Sequence, residues 1–442
     1  MKFKSFALTF LSLCVATTYG TKAAQAAELK VVADQLNNPR NFDWDKQGNI
    51  YLTESGAGGD GNGGVNCIPS PSAGYIPLCS GKTGSVVKIA PDGTKTTVLS
   101  NLPSLALSPS GEQAAGPADF KFDSKGNAYV LYGLAGDPNL RDQVLGEPAL
   151  GQLYKLDLKT GSLTSLADFA AYEAKYNPDG SDVINNPYSM TIKGDTAYVI
   201  DGGGNSIYSV DLNGGGIKNV TGFPTKYLDP STLQYPTLPE GLTEEALQFN
   251  PNAQAVPTAI AVAPDGSLTV GEYTAFPYPE GKARIYSVNP DDLSIKTIAD
   301  GFTQLTGVAY DSEGDLYALQ HINQSEWKAI EQGGNIIGDL SSSVIKIGKD
   351  GSRETIWSGN GLEAAAGLFF GPDGDLYISN RDRLVAGERG GQLVKLALKS
   401  GADATKVPEP GSVIALLATA ALGAKAMKRK RQQELLDKVE TI

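Results

Sequence analysis

Apolar and polar residues alternate along most of the chain in short segments that are separated by turn-forming residues. One composite pattern recurs, and it consists of an alternating segment, a turn and a second segment. The turn contains a Gly three or four residues before an aromatic residue, a β-branched residue or Leu. The turns of its six copies lie at residues 45–48, 123–126, 193–195, 264–266, 311–314 and 372–374. Asp-Gly pairs favour the positive φ of tight turns, and alternation gives each strand one buried face. Each copy therefore predicts a β-hairpin.

A second hairpin-type segment follows each copy, and two hairpins make a four-stranded blade. These segments are residues 84–89, 151–156, 205–210, 283–288, 343–347 and 391–396. The last copy has no room for an outermost strand, whereas residues 29–33 lack a local partner and can supply it. The pattern predicts an all-β, six-bladed β-propeller over residues 27–400, closed by the N-terminal strand. The alternative, a two-sheet sandwich, has no such fixed period.

Both ends of the chain differ from this pattern. Lys2 and Lys4 precede an apolar run too short to span a bilayer, and small residues follow, so residues 1–26 are predicted to be a signal peptide. At the other end, residues 401–411 read as a linker, residues 412–431 as a membrane helix with a basic cluster, and residues 432–442 as a tail. The linker contains the predicted sorting motif Pro408, Glu409 and Pro410.

This C-terminal arrangement resembles the PEP-CTERM sorting signal. That resemblance implies processing by an exosortase after signal peptidase has removed the leader. We therefore expect an exported protein of the periplasm or cell surface, anchored transiently in the inner membrane by its C-terminal helix. A plain C-terminal anchor and a buried helix are the alternatives.

The net charge of the chain between its two ends indicates which classes of partner it can bind. Residues 1–26 carry three Lys and no acidic residue, and residues 411–442 carry six basic and three acidic ones, so the net charge of residues 27–410 is −18. Such a surface repels nucleic acid and anionic lipid, so we expect neither as a partner, and we expect a monomer.

Cys67 and Cys79 are the two cysteines left after the leader is removed, and we predict that they form a disulfide.

The chain contains a single histidine, His321, which removes most mechanisms that need an imidazole at several places or in a Ser-His-Asp triad. We predict that His321 lies where a second strand ends, and a structural hydrogen bond is the plainer role for it. Chemistry elsewhere must use carboxylates, amides, hydroxyls or the backbone.

In a propeller, the loops before each innermost strand and after each second strand share one rim of the central channel. The residues predicted to bind a ligand on this rim are Arg40, Glu54, Asp201, Asn205, Glu272, Tyr273 and Asn380, with Asp382 beside them. Hard oxygen ligands suit Ca²⁺ better than Zn²⁺, so Glu54, Asp201 and Glu272 are the ligands predicted for a metal at this rim, and Ca²⁺ is the ion that they would suit. Alternatively, these carboxylates accept hydrogen bonds from nearby backbone amides.

One loop adds aromatic residues to this picture. Residues 273–279 contain Tyr273, Phe276 and Tyr278 together with Pro277 and Pro279, a composition that suits stacking of a flat or sugar-like ligand. Packing of the loop onto its neighbour is the alternative.

Several short motifs follow one another in a specific order between residues 28 and 400. They are Asn38-Pro39-Arg40, Glu54 and residues 56–59, 81–85, 102–105, 133–138, 177–180, 186–188, 201–205, 256–258 and 271–279. In this order they resemble the ScyD/ScyE family, exported proteins similar to the NHL-like and TolB-like six-bladed propellers. The resemblance implies a periplasmic role in the assembly or export of the sunscreen pigment scytonemin, and it brings no established catalytic residues.

Two functions follow as hypotheses. The first is an exported propeller without catalytic activity that binds a small molecule, a glycan or a protein on its rim and loops, in pigment or extracellular-matrix assembly. The second is a calcium-dependent hydrolase or lactonase that uses the rim carboxylates Glu54, Asp201 and Glu272. We favour the first, because the metal-ligand motifs of propeller hydrolases are not matched.

Overall fold

The computed structural model describes residues 28–61, 63–71, 77–229, 252–276, 278–325, 339–383 and 390–398. The predicted signal peptide, sorting motif, membrane helix and tail lie outside these residues. Within them, no helix is both long enough and apolar enough to cross a membrane.

The described residues form six antiparallel sheets, the blades, which follow one another along the chain. After β1 (Glu28–Leu36), blade 1 contains β2 (Pro39–Trp44), β3 (Ile50–Glu54), β4 (Cys67–Pro69), β5 (Pro77–Ile89) and β6 (Lys95–Leu107). Blade 2 contains β7 (Pro117–Phe122), β8 (Ala128–Tyr132), β9 (Gln152–Leu156) and β10 (Leu163–Asp168). Helix α1 (Phe169–Tyr176) leads into blade 3, which contains β11 (Pro187–Lys193), β12 (Thr196–Asp201), β13 (Ser206–Asp211) and β14 (Ile217–Gly222).

The second half of the ring repeats this arrangement. A separate pair, β15 (Lys226–Tyr227) and β16 (Asn252–Ala253), precedes blade 4, which contains β17 (Pro257–Val262), β18 (Leu268–Glu272), β19 (Ala283–Val288) and β20 (Ile295–Phe302). Blade 5 contains β21 (Leu305–Tyr310), β22 (Leu316–Gln320), β23 (Ser341–Ile347) and β24 (Arg353–Glu363). Blade 6 contains β25 (Leu368–Phe370), β26 (Leu376–Asn380) and β27 (Gly391–Ala397).

The first strands of consecutive blades pack on one another from β2 to β25, and β2 also contacts β26, so the six blades form a closed ring. Strand β1 pairs antiparallel with β27, from Glu28 opposite Ala397 to Leu36 opposite Gly391. The prediction of a six-bladed propeller closed by the N-terminal strand is therefore confirmed. Blade 1 differs from the predicted four strands, because β4 and β6 both pair with the long strand β5.

The predicted hairpin turns owe their shape to local hydrogen bonds. The carboxylate of Asp45 accepts the backbone N–H of Asn49 at 2.9 Å, and the carboxylate of Asp123 accepts that of Asn127 at 2.8 Å. Gly48, inside the first of these turns, has φ of 81°, a conformation that other residues rarely adopt. Asp and Gly at this spacing thus specify each turn without help from the rest of the fold.

Hydrophobic side chains fill the spaces between adjacent blades. Six buried clusters were found among the described residues, one for each pair of neighbouring blades. In the cluster that closes the ring, Leu393 of blade 6 packs with Leu52 and Val87 of blade 1. Burying apolar surface between blades is the main force that holds the ring together.

Hydroxyl groups add directional bonds between blades near the channel. Ser55 of blade 1 donates to the carbonyl of Pro117 at 2.9 Å, and Thr306 of blade 5 donates to the carbonyl of Ala365 at 2.7 Å. At the closure of the ring, Ser379 donates to the carbonyl of Arg40. These bonds fix the relative positions of the innermost strands, which carry the candidate site.

Two local features complete the fold. Cys67 and Cys79 form a disulfide between the paired strands β4 and β5, as predicted. Helix α1 was not predicted; it begins where the side chain of Asp168 accepts the N–H of Ala171, and it ends at Asn177 in the left-handed conformation.

Candidate functional site

Five side chains from five blades meet at the end of the channel where the innermost strands begin, which we call the mouth. This mouth cluster consists of Arg40, Tyr188, Tyr273, His321 and Asp382, from blades 1, 3, 4, 5 and 6 respectively. Arg40 and Tyr188 are each the second residue of an innermost strand, and the other three residues follow the ends of second strands. The ring closure brings them together, because no two of them are close in sequence.

Arg40 lies at the centre of the cluster and is largely buried. Its guanidinium forms an ion pair with Asp382, donates to the Tyr188 hydroxyl at 3.1 Å and donates to the carbonyl of Ala114 at 2.7 Å. Burial lowers the pKa of this guanidinium, but the neighbouring Tyr188, Asp382 and Tyr273 more than offset that effect, so it stays charged. The formal charges of Arg40 and Asp382 cancel.

Asp382 and His321 continue the network towards blade 5. The Nδ1–H of His321 donates to the carbonyl of Ala365 at 3.0 Å, and the same nitrogen lies 3.7 Å from Oδ1 of Asp382. That Asp382 oxygen is buried, and it has no hydrogen-bond partner in the part of the chain that the structure describes. A proton on Nδ1 leaves the lone pair of the neutral ring on Nε2. His321 thus lies at the end of a second strand, as predicted, and belongs to the mouth cluster.

The hydroxyl of Tyr188 also responds to Asp119, which belongs to a second charged pair with Lys121. Burial raises the pKa of the Tyr188 phenol to about 12. Asp119, one of the charges that act on Tyr188, forms a buried ion pair with Lys121 at 2.9 Å, and burial raises the pKa of this carboxyl to about 6. The Lys121 amine also lies 4.0 Å from the ring centre of Phe369.

An aromatic strip extends from the mouth over the loop after β18. Its rings contact one another in sequence: His321 and Tyr273 at 5.7 Å, Tyr273 and Tyr278 at 5.8 Å, and Tyr278 and Phe276 at 5.9 Å between ring centres. Tyr273, Phe276 and Tyr278 are partly exposed. The strip therefore offers aromatic surface that leads from solvent to the mouth.

The backbone that holds Tyr273 is strained. Thr274 has φ of 79° and Val256 has φ of 52°, and both are β-branched residues for which the left-handed region is unfavourable. The N–H of Tyr273 donates to the carbonyl of Val256 at 2.9 Å, which ties the two strained segments together. Such conformations cost about 1–3 kcal/mol each and cluster at functional sites.

The last residues of the six second strands occupy a different environment, which we call the clamp positions. They are Glu54, Tyr132, Asp201, Glu272, Gln320 and Asn380. In three blades the side chain accepts a backbone N–H seventeen residues earlier: Asn37 to Glu54 at 2.9 Å, Thr303 to Gln320 at 2.8 Å and Glu363 to Asn380 at 2.8 Å. Asn37 and Thr303 lie just before the first strand of the same blade, whereas Glu363 ends the last strand of blade 5, so these side chains tie each second strand to the segment that leads into its blade.

The two remaining acidic clamps make comparable bonds. Asp201 accepts the N–H groups of Asn186 at 2.6 Å and Gly204 at 2.8 Å. Glu272 accepts the N–H of Arg284 at 3.0 Å, its guanidinium and the hydroxyl of Tyr286 at 2.9 Å. Burial raises the pKa of Asp201 to about 7 and that of Glu272 above its usual value.

The structure therefore divides the predicted ligand-binding residues. Arg40 and Tyr273 lie in the mouth cluster, together with Asp382. The carboxylates and amides of the others are bonded within the blades or between them: Glu54, Asp201, Asn205, Glu272 and Asn380. Asn205, for example, accepts the N–H of Ala255 at 3.0 Å and donates to the carbonyl of Phe223 at 3.0 Å, which joins blade 3 to the segment before blade 4.

The predicted calcium ligands Glu54, Asp201 and Glu272 are not brought together. They occupy equivalent positions in three different blades, and each carboxylate turns towards its own blade. Among the described residues, no group of three or more His, Cys, Asp or Glu side chains is placed to hold a metal ion. The alternative role, acceptance of backbone N–H groups, is the one that the hydrogen bonds show.

Sequence reasoning did not select Tyr188 as a binding residue, and it gave His321 a structural hydrogen bond as the plainer role. A signal for it exists: Tyr188 follows Pro187 just as Arg40 follows Pro39, so both are the second residue of an innermost strand. Likewise, Tyr273 and His321 each follow a clamp position directly, which turns their side chains away from the blade.

Comparisons with known proteins show no family for this chain. No protein-family model and no curated protein matches this chain. Solved structures that resemble it include a PQQ-bound aldose sugar dehydrogenase from Streptomyces coelicolor (12% identity, 85% of this chain and 100% of that one, TM-score 0.47). A gluconolactonase from Xanthomonas campestris (12% identity, 85% and 91%, TM-score 0.46) and a virginiamycin B lyase from Staphylococcus aureus (11%, 85% and 100%, TM-score 0.40) are others. At these identities the likeness says nothing about which residues act, and membership of the ScyD/ScyE family stays a prediction.

Proposed function

We propose that this protein is an exported binding propeller whose mouth takes a small, flat, neutral ligand, an aromatic ring or a sugar. The aromatic strip that ends at the mouth cluster is the observation that carries the proposal. Partly exposed tyrosine rings bind flat apolar faces, and the polar groups at the end of the strip bind substituents.

Charge supports a neutral ligand. The mouth cluster contains one cation, Arg40, and one anion, Asp382, in direct contact. The surrounding propeller sequence carries a net charge of −18, so its field disfavours anions, while the mouth offers no excess negative charge to a cation.

Export remains part of the proposal. The disulfide between Cys67 and Cys79 supports it, because such bonds persist in oxidising compartments. Within this proposal, signal peptidase and an exosortase process the two ends of the chain. The protein then acts as a monomer in the periplasm or at the cell surface. A ligand with aromatic rings fits the pigment role that the ScyD/ScyE resemblance implies. A sugar ligand fits a role in the extracellular matrix.

Titration calorimetry with neutral indoles, phenols and saccharides tests the proposal on the wild type and on Tyr273→Ala. Loss of one stacked ring should weaken binding by about 1–3 kcal/mol, which is roughly 5-fold to 150-fold in affinity. Tyr227→Ala is the matched control, because Tyr227 is exposed and lies outside the mouth. Equal affinity of Tyr273→Ala and wild type, or no binding by the wild type, would refute the proposal.

The geometry of His321 favours one second candidate, a hydrolase of lactones or esters. The Nδ1–H of His321 is held by a carbonyl beside the carboxylate of Asp382, which fixes the ring at the mouth, and histidine is the side chain that most often serves as a general base. In this candidate His321 takes the role that the sequence assigned to rim carboxylates. Turnover of a lactone and ester panel that is lost in His321→Asn and retained in Glu54→Gln would support it, whereas absence of turnover by the wild type would remove it.

A further inference from the structure

Helix α1 carries a carboxylate into the interior of blade 3. Glu173 is fully buried, as is Asp201 at the end of β12. A Cβ atom built on Gly204 would lie 2.8 Å from Oε2 of Glu173 and 3.1 Å from Oδ2 of Asp201. The two carboxylates thus face one small space, which only a glycine at position 204 leaves open.

No positive side chain compensates these two carboxylates within the described part of the chain. The charged groups that act on Glu173 are Asp201 and Asp179, both acidic, and the groups that act most strongly on Asp201 are the N–H donors of Gly204, Asn186, Gly203 and Asn185. An isolated buried charge is strongly unfavourable, so a buried pair of like charges requires a bound cation or protons.

Two buried oxygens of the side chains near these carboxylates have no hydrogen-bond partner among the described residues. They are Oε1 of Glu173 and Oδ1 of Asn185, and both side chains are fully buried. The amide nitrogen of Asn185 donates to Oδ2 of Asp201, so a half-turn of that amide would place its oxygen beside the same carboxylate. The hydroxyl of Tyr208 lies 3.4 Å from Oε2 of Glu173.

We propose that Glu173, Asp201 and Asn185 hold one Ca²⁺ ion, with the hydroxyl of Tyr208 beside it. Carboxylate, amide and phenol oxygens are hard ligands, and a site without thiolate or imidazole suits Ca²⁺. This ligand set shares only Asp201 with the set that the sequence predicted. The site is separate from the mouth cluster, so a test of calcium binding does not depend on the ligand proposed for the mouth.

The cation would connect two segments that precede blade 3. Glu173 belongs to α1, whereas Asn185 lies just before β11, the strand that carries Tyr188. Holding both segments through one ion stabilises the folded chain by mass action, because the unfolded chain has no such site.

Equilibrium dialysis of the full chain against calcium, after removal of divalent ions by a chelator, tests the proposal directly. We expect one Ca²⁺ per chain and a rise in Tm with calcium concentration. Glu173→Gln, which keeps the volume and removes the charge, should lose both effects. Asp182→Asn, an exposed acidic residue nearby in the chain, should keep them.

A second pair of variants tests the space itself. Gly204→Ala should abolish calcium binding, because its Cβ occupies the space between the carboxylates without demanding a positive φ. Gly214→Ala is the matched control in the same blade, since a Cβ there meets nothing within 4 Å. Terbium luminescence sensitised by Tyr208 should appear in the wild type and disappear in Gly204→Ala.

The following results would contradict the proposed calcium site. Absence of bound calcium in the wild type, with Glu173→Gln more stable than wild type in calcium-free buffer, would show that protons neutralise the pair. Equal calcium binding by wild type and Gly204→Ala would place the ion elsewhere. If Glu173→Gln does not fold, the comparison of Gly204→Ala with Gly214→Ala decides.

Discussion

Three members of the mouth cluster, Tyr273, His321 and Asp382, lie within two residues of a clamp position along the chain, yet the two groups form different kinds of contact. At the clamp positions, Glu54 and Asn380 accept N–H groups only seventeen residues away, from Asn37 just before blade 1 and from Glu363 at the end of blade 5. In the mouth cluster, Arg40 contacts Tyr188, 148 residues away, and Asp382, 342 residues away. The clamp positions join segments that are close along the chain, whereas the mouth cluster depends on the closed ring.

This difference teaches which polar residues of a propeller are available to a ligand. A side chain at the end of the second strand is one residue from the rim, but it turns into the blade and meets backbone donors there. The next residue turns the other way, and Tyr273 and His321 consequently reach the mouth. One position therefore separates a structural role from a candidate binding role.

The difference between the clamp positions and the mouth cluster is tested most directly at the ion pair that joins blades 1 and 6. Asp382→Ala leaves the Arg40 guanidinium buried without its carboxylate, and we expect a loss of about 3–5 kcal/mol in the free energy of unfolding. Urea unfolding followed by tryptophan fluorescence measures this loss. The double variant Arg40→Leu with Asp382→Leu should recover most of it, and a loss under about 1 kcal/mol in Asp382→Ala would contradict a buried pair.

A clamp variant should have a smaller effect that is confined to stability. Asn380→Ala leaves the N–H of Glu363 and the carbonyl of Gly361 without their partner, at a cost of about 1–3 kcal/mol. Urea unfolding should show this loss, while ligand affinity at the mouth stays unchanged. Asn219→Ala, on the exposed face of β14, is the control. A clamp variant that loses ligand binding but no stability would reverse the assignment of the two groups.

The smallest expected effect is the ionisation of Tyr188. Its folded pKa of about 12 lies above the usual value of 10, so the stability that the neutral phenol contributes is present below pH 10 and is lost as the pH rises through 12. The chain has 19 tyrosines, so the tyrosinate absorbance of Tyr188→Phe is subtracted from that of the wild type. A difference that titrates near pH 10 would mean that Tyr188 is not held in the cluster.

Much of the fold could be predicted from the sequence because its signals are local. The Asp and Gly residues of the hairpin turns act through bonds four residues long, as at Asp45 and Asn49. The unpaired strand at the N-terminus and the missing strand at the end of the last blade indicated closure, which the pairing of β1 with β27 confirms. The disulfide was likewise predicted from two cysteines in one segment. Helix α1 escaped prediction, because its eight residues carry no strong apolar periodicity.

The candidate site could be predicted only in part. Arg40, Tyr273 and Asp382 were assigned to the rim from the strand order, but the same reasoning placed Glu54, Asp201, Glu272 and Asn380 beside them. Which of two adjacent polar residues faces the channel depends on where the second strand ends, and a shift of one residue exchanges the two faces. A spacing rule accurate to one or two residues cannot make that distinction.

By itself, the sequence determined the turns, the number of blades, the closing strand and the disulfide, because each depends on residues that are close together or on a repeat that is visible along the chain. Only the tertiary structure decided that Arg40 pairs with Asp382, that His321 and Tyr273 join them, and that Glu173 meets Asp201 behind Gly204. Those contacts join residues from different blades or from a helix and a blade. Their distances are set by the ring as a whole, since six packed blades fix which side chains meet at its centre.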